Sequence, residues 1–244
     1  YGTERVAEAL AEVLPGIGIT RMDADTTQGR GAHQRILDDF RSGKSQVLVG
    51  TQLVAKGHDF PHVTLSAVVG VDHVLLMPDF RSAERTYGLV TQLAGRAGRG
   101  SKPGRVILQT RQSDHFVFSH VGPDTGLDAF YTEEVHERKI LGHPPFSRVV
   151  LIRFEAARLE DAQEAGHLMA NSLRRTADGS AIQVFGPTLA PLSKLVGRWR
   201  YQVVLRGRNV PHFRSWLRSV QNELQRPPTR GVRISIDVDP RNLL

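Results

Sequence analysis

Short apolar runs spaced by helical stretches constrain the first half of this chain more than any other feature. Gln46-Val47-Leu48-Val49-Gly50 has an apolar centre and stops at a glycine. Val63–Val71 is rich in β-branched residues, Arg105–Gln109 is a third run, and Gly18–Met22 is a shorter one. Around them, Val6, Leu10 and Val13 recur near helical spacing in Thr3–Leu14. Ile36, Leu37 and Phe40 share one side of Ala32–Phe40, and Ala83–Ala94 reads as a further helix. Strands that are apolar throughout are buried on both faces, and the intervening helices supply the covering layers. Residues 1–120 are therefore expected to form a parallel-sheet α/β domain. Thr3 is expected to cap the first helix, which Pro15-Gly16 ends.

The pattern changes after Thr110. Residues 121–145 read as a connector containing a charged amphipathic helix, Asp128–Leu141, stopped by Gly142-His143-Pro144-Pro145. From there the order is strand Arg148–Phe154, helix Leu159–Arg175, strand Ile182–Phe185, strand Trp199–Arg206, helix Pro211–Leu224 and strand Val232–Val238. This βαββαβ order is that of a ferredoxin-like α+β domain over residues 146–244.

Charge separates the two halves. Residues 1–120 hold 14 Lys/Arg against 12 Asp/Glu, and residues 121–244 hold 18 against 13. Lys194–Arg233 carries ten basic residues and one acidic residue, Glu223. A surplus of this kind favours a polyanionic partner. The absence of cysteine excludes disulfides and thiolate zinc sites from this segment, and a cytoplasmic setting fits it. No apolar run approaches the ~20 residues that span a bilayer, so no membrane partner is expected. The first residue is Tyr1 rather than Met, and helical sequence begins at once, so the chain is expected to start inside a longer protein.

Two strings carry chemistry. Gly50-Thr51-Gln52-Leu53-Val54-Ala55-Lys56-Gly57-His58-Asp59-Phe60 leaves the end of a buried strand, which is where open α/β sheets hold ligands. Thr51 offers a hydroxyl and an amide suited to a phosphate oxygen, and Lys56-Gly57 a cation on a compliant backbone. Asp59 offers an acceptor for a ribose hydroxyl or for an Arg or Lys partner. Gly-Thr alone is a weak signal; the whole string in this place is a stronger one. The second string is Gln92-Leu93-Ala94-Gly95-Arg96-Ala97-Gly98-Arg99-Gly100. Gln92 and Arg96 share a helix face, and Arg99 follows. Adjacent guanidiniums repel unless an anion joins them, and the planar fork of arginine suits phosphate oxygens. The plainer alternative, a glycine-terminated helix end with arginines on its dipole, leaves Gln92 unexplained.

In the basic C-terminal stretch, Trp199, Tyr201, Val203 and Leu205 alternate onto one strand face and are expected to be core. Arg198, Arg200, Gln202 and Arg206 take the other, with Val204 among them. That arginine face is the candidate DNA surface, acting through phosphate contacts and counterion release. Arg174-Arg175, Arg214 and Arg218 extend the candidate surface. His143 and His212 show no metal-ligand spacing.

Together the two strings resemble the fifth and sixth motifs of superfamily-two helicases. With Asp79-Phe80-Arg81-Ser82-Ala83-Glu84-Arg85, Gly2–Val6, Arg21–Thr26, Gly197–Gln202 and Asp237–Pro240, they resemble the primosomal replication-restart helicase family PriA over nearly the whole chain. The resemblance implies a RecA-like second helicase lobe followed by a C-terminal domain. It implies an ATP-driven 3′-to-5′ DNA helicase, working in the bacterial nucleoid, that restarts stalled forks and assembles the primosome. Its partners would be fork DNA and single strands, single-strand-binding protein and other primosome proteins. By position, Thr51 would touch a DNA phosphate, and Gly57 and Asp59 would sit at the nucleotide cleft. Gln92 would sense the γ-phosphate, and Arg96 or Arg99 would be the arginine finger. The Gly-Lys-Thr loop and Asp-Glu motif that hold ATP and Mg2+ do not occur here, and belong to a first lobe. The family's zinc-binding cysteines likewise lie upstream, and this segment has none. The alternative is a non-catalytic DNA-binding restart scaffold whose motor lobe has lost ATPase activity.

Overall fold

The computed structural model describes residues 2–23, 25–27, 29, 31–51, 60–95, 103–122, 126–226 and 229–243. The chain divides into two compact units. One comprises residues 1–72 and 85–123, the other residues 73–84 and 124–244.

The first unit opens with α1 (Thr3–Val13), β1 (Ile19–Met22), α2 (Ala32–Arg41) and β2 (Val47–Gly50), continues with β3 (Leu65–Val68), and ends with β4 (Arg105–Leu108) and α5 (Phe116–Ser119). Two helices, α3 (Asp72–Leu75) and α4 (Ser82–Ala94), cross the division between the units. β1 pairs with β2 and β3 with β4, both in parallel, as expected for strands joined by helical crossovers. Met22, Leu37 and Phe60 form a buried cluster, with Ile36, Phe40, Leu48 and Val63 packed against it. The Phe40 and Phe60 rings meet edge to face at 5.0 Å. The cap of α1 departs from expectation. Its N-cap is Gly2, and the Thr3 hydroxyl instead donates to Asp23.

The second unit contains α6 (Leu127–Leu141), β5 (Arg148–Ala156), α7 (Leu159–Thr176), β6 (Ile182–Leu195), β7 (Arg198–Gly207), α8 (Val210–Ser219), α9 (Gln221–Leu224) and β8 (Arg233–Val238). Its four strands form an antiparallel sheet in the order β6-β7-β5-β8, the ferredoxin-like arrangement that the βαββαβ order predicts. Small residues bring α7 close to the sheet: Ala162, Ala165, Gly166 and Ala170 are buried together with Met169 and Leu173. They pack with Phe213 and Trp216 of α8 against Val150, Ile152, Phe154, Val203 and Leu205. A methyl group at Gly166 would press on Pro187 and Tyr201 at 3.1 and 3.3 Å, so the glycine sets how closely helix and sheet approach.

β6 is far longer than the four residues read from the sequence. It runs 14 residues, with register shifts between Phe185 and Thr188 and between Leu189 and Lys194. Its prolines, Pro187 and Pro191, interrupt a strand pattern, yet they are tolerated because β6 is an edge strand.

Candidate functional site

In the first unit the strand ends are organised by Asp23. It follows β1, and Met22 pairs with Gly50 at the end of β2, so Asp23 and Thr51 leave neighbouring parallel strands at their carboxyl ends. That edge is where open α/β sheets bind ligands. Asp23 is buried, and its Oδ1 accepts from the amides of Asp25 and Thr26 at 3.2 and 3.0 Å. Its Oδ2 accepts from the Thr3 hydroxyl at 2.6 Å and from Arg21 Nε at 3.2 Å. The Thr3 hydroxyl first, and the Thr26 amide next, hold the Asp23 carboxyl well below the usual carboxylate range. Anionic Asp23 thus orders the turn that leads away from β1. The sequence signal for it is the Asp-x-Asp-Thr turn directly after a strand.

Thr51 is exposed just beyond β2. Lys56, Gly57 and Asp59 lie outside the described residues, as do Arg96 and Arg99. Gln92 is exposed on α4, whose buried side is formed by Thr86, Tyr87 and Val90. Thr110, just after β4, donates to Asp72 at 2.5 Å, and the Arg111 amide donates to the same carboxylate at 2.9 Å.

The Asp79–Arg85 string behaves differently from its neighbours in sequence. Residues 73–84 pack with the second unit. Asp79 accepts from the amides of Arg81 and Leu243, and Arg81 Nη1 donates to the Arg241 carbonyl at 3.0 Å. The Phe80 ring lies near two guanidiniums, 5.2 Å from Arg81 and 5.6 Å from Arg138. Arg138 also reaches Glu84 at 2.8 Å and buried Glu134 at 2.6 Å. Asp79, Arg81 and Glu84 lie in the link from α3 into the start of α4. Here they hold the chain's C-terminal segment and α6.

The predicted arginine face is real but not open. Arg198 Nη2 donates to the Glu155 carbonyl at 2.8 Å. Arg206 binds the Gln183 side chain at 2.9 and 2.7 Å and the Leu141 carbonyl at 2.9 Å, with its guanidinium 4.7 Å above the Phe185 ring. Burial, and then the nearby Arg208, lower the affinity of Arg206 for its proton. Arg200 differs most from expectation. It is only 4 % exposed, donates to the Leu192 carbonyl at 3.3 Å and lies 3.7 Å from Glu155. On the opposite face Val203 and Leu205 are core as expected, and Tyr201 packs against that core. Trp199 is half-buried, with Lys194 Nζ 4.9 Å above its ring.

Among the described residues no group of three His, Cys, Asp or Glu side chains is placed to hold a metal ion, and no helix is long and apolar enough to cross a membrane.

Residues 2–101 match the helicase conserved C-terminal domain family, and residues 139–241 match the primosomal protein N C-terminal domain family. Over 98 % of its length the chain is 37 % identical to the replication restart protein PriA of Bacillus subtilis. It is 38 % identical over 99 % to that of Haemophilus influenzae and 36 % identical over 100 % to that of Treponema pallidum. The chain is thus similar to PriA proteins along its whole length. It covers 30 %, 33 % and 36 % of those three relatives, about a third of a PriA protein. The helicase match ends before α6, and the second match begins within its last turn, at Lys139. The helicase match includes Asp79–Glu84, so this stretch of the matched helicase domain packs with the C-terminal unit.

Proposed function

We propose that the chain is the second motor lobe and C-terminal domain of an ATP-dependent 3′-to-5′ DNA helicase that restarts stalled replication forks and assembles the primosome. The observation that carries this reading is the order of the two matched domains, helicase lobe first and PriA C-terminal domain second. Residues 1–120 form the lobe, 121–145 the connector and 146–244 the basic domain. ATP and Mg2+ belong to a site completed by a first lobe, and any zinc site lies upstream. Fork DNA, single strands, single-strand-binding protein and other primosome proteins are the partners, in the bacterial cytoplasm.

On this reading each residue of the lobe has one task. Thr51, at the carboxyl end of β2, and Lys56 grip the phosphates of the tracked strand. Gly57 and Asp59 line the nucleotide cleft. Gln92 presents its amide from the exposed side of α4 toward the γ-phosphate. Arg96 and Arg99 approach the triphosphate, one of them stabilising the charge that develops as the γ-phosphoryl group departs. Arg198 and Arg206 contribute to the positive potential of the C-terminal domain, and Arg200 shapes it from within.

The test is ATP turnover by the full-length polypeptide with fork DNA. Arg99→Ala should lower turnover by roughly 10³-fold or more while DNA affinity holds. The 244-residue chain alone should hydrolyse no ATP. Unchanged turnover in the variant would remove the finger from Arg99, and a full-length protein without DNA-stimulated turnover would favour the scaffold alternative.

A further inference from the structure

The tip of the β6–β7 hairpin is built against its own folding preference. Leu195 pairs with Arg198, so Val196 and Gly197 alone make the turn, at φ +48° and +76°. A two-residue turn with both φ values positive is the type I′ hairpin turn, for which Asn-Gly is the favoured pair. Valine is a poor choice. Its branched Cβ crowds the backbone in the left-handed region, and Val196 is 92 % exposed, so no burial offsets the strain. Strain of this kind, retained where folding does not need it, marks positions shaped by an outside contact.

The neighbours point the same way. Leu189 pairs with Tyr201 and Lys194 with Trp199, so residues 190–193 stand opposite Arg200 alone. They form a bulge, tied down through the Leu192 carbonyl and buried Ala190. Leu192 and Leu195 are left about half exposed at this end of the hairpin. Cations flank them: Lys194 over Trp199, and Arg198 at the start of β7. The sheet register also brings Arg233 level with Glu155 at this end of the sheet.

We propose that this tip is a wedge for DNA bases, with Leu195 and Val196 pressing on the terminal base pair of a duplex where strands part, and Lys194 and Arg198 holding the adjoining phosphates. Apolar side chains are the groups that proteins insert at base steps, and flanking cations supply the backbone attraction. A protein partner fits less well. A few aliphatic side chains on a two-residue turn fall far short of the roughly 800 Å² per partner that a stable protein interface buries.

The inference rests on the DNA-binding reading, and one experiment separates the two. The 244-residue chain is titrated into a fork whose junction base pair carries 2-aminopurine, whose fluorescence rises on unstacking. The unaltered chain should bind and raise the signal. Val196→Asn keeps or raises the thermal midpoint, because asparagine tolerates the left-handed region that valine resists. Leu195→Ser with Val196→Asn should abolish the fluorescence rise at saturation, while affinity stays within about twofold because the phosphate contacts remain. A folded double variant that saturates with the full fluorescence rise overturns the wedge alone. So does an unaltered chain that binds with no rise. If the unaltered chain binds no DNA at any salt, the DNA reading falls and takes the wedge with it.

Discussion

Arg200 Nη1 donates to the backbone carbonyl of Leu192 across 3.3 Å, eight residues back along the hairpin. A cation that reads as solvent-facing is thereby a buried bracket between β7 and the β6 bulge, steadied by Glu155 at 3.7 Å. On the proposed DNA-binding reading, it acts through the shape of the hairpin rather than by contact.

Replacing that bracket should unsettle the fold before it alters binding. Arg200→Met removes the hydrogen bond and the ion pair with Glu155, a loss of about 2 kcal/mol. Urea unfolding should show the loss, and amide exchange in residues 188–195 should quicken. Arg198→Met, whose side chain is less buried, should instead chiefly reduce the salt dependence of DNA affinity. Equal stability in the two variants would contradict the bracket.

The ion-pair cluster of the second unit should be lopsided. Arg138→Ala strands Glu134, which is 5 % exposed, and should cost about 3 kcal/mol. Glu84→Gln breaks a pair whose carboxylate side is 39 % exposed and should cost less than about 1 kcal/mol. Chemical denaturation of both variants checks the ratio, and comparable losses would mean that Arg138 is not anchored mainly by Glu134.

Gly207 ends β7 directly against Phe213, and an added methyl group would overlap that ring. Gly207→Ala should therefore destabilise the domain by at least ~1–3 kcal/mol. Phe213→Leu introduced into that variant should recover part of the loss, which a double-mutant cycle reads directly as coupling. Strict additivity would rule out the clash as the cause.

His143 supplies a pH dependence. Its burial, then the charges of Arg206 and Arg138, push its proton affinity down. The folded form therefore binds a proton less readily than the unfolded chain, whose imidazole titrates near ~6.5. Stability from the neutral form is complete above that value and declines as pH falls through and below it. His143→Gln should flatten the decline between about pH 7 and 5, as followed by thermal midpoint. An identical pH profile in the variant would assign the dependence elsewhere.

Periodicity made both domains legible. Val47–Val49 is an apolar run that only a covered sheet can use, and Trp199, Tyr201 and Val203 alternate with Arg200 and Gln202 as a strand with one core face must. Three features escaped. The extent of β6 was hidden by Pro187 and Pro191, which end a strand everywhere except at a sheet edge. The burial of Arg200 was hidden because its acceptor, a backbone carbonyl in a bulge, has no side-chain signature. Asp79–Glu84 lies between helicase motifs in sequence, and only tertiary packing assigns it to the other unit. For the proposed nucleotide site, chemistry grouped Gln92, Arg96 and Arg99 as a set; of these the described residues include Gln92 alone.

The prolines of β6 have an effect beyond strand geometry. Among the described residues β6 pairs with β7 alone, so its other side is the rim of the sheet, and Leu189, Leu192 and Leu195 are exposed along it. An apolar rim of this length invites a second chain to add a strand and begin an aggregate. Pro187 and Pro191 carry no amide hydrogen and cannot donate to an incoming strand, and the register shifts around them break the regular ladder. The hairpin can therefore keep its greasy end in water without gluing one molecule to the next.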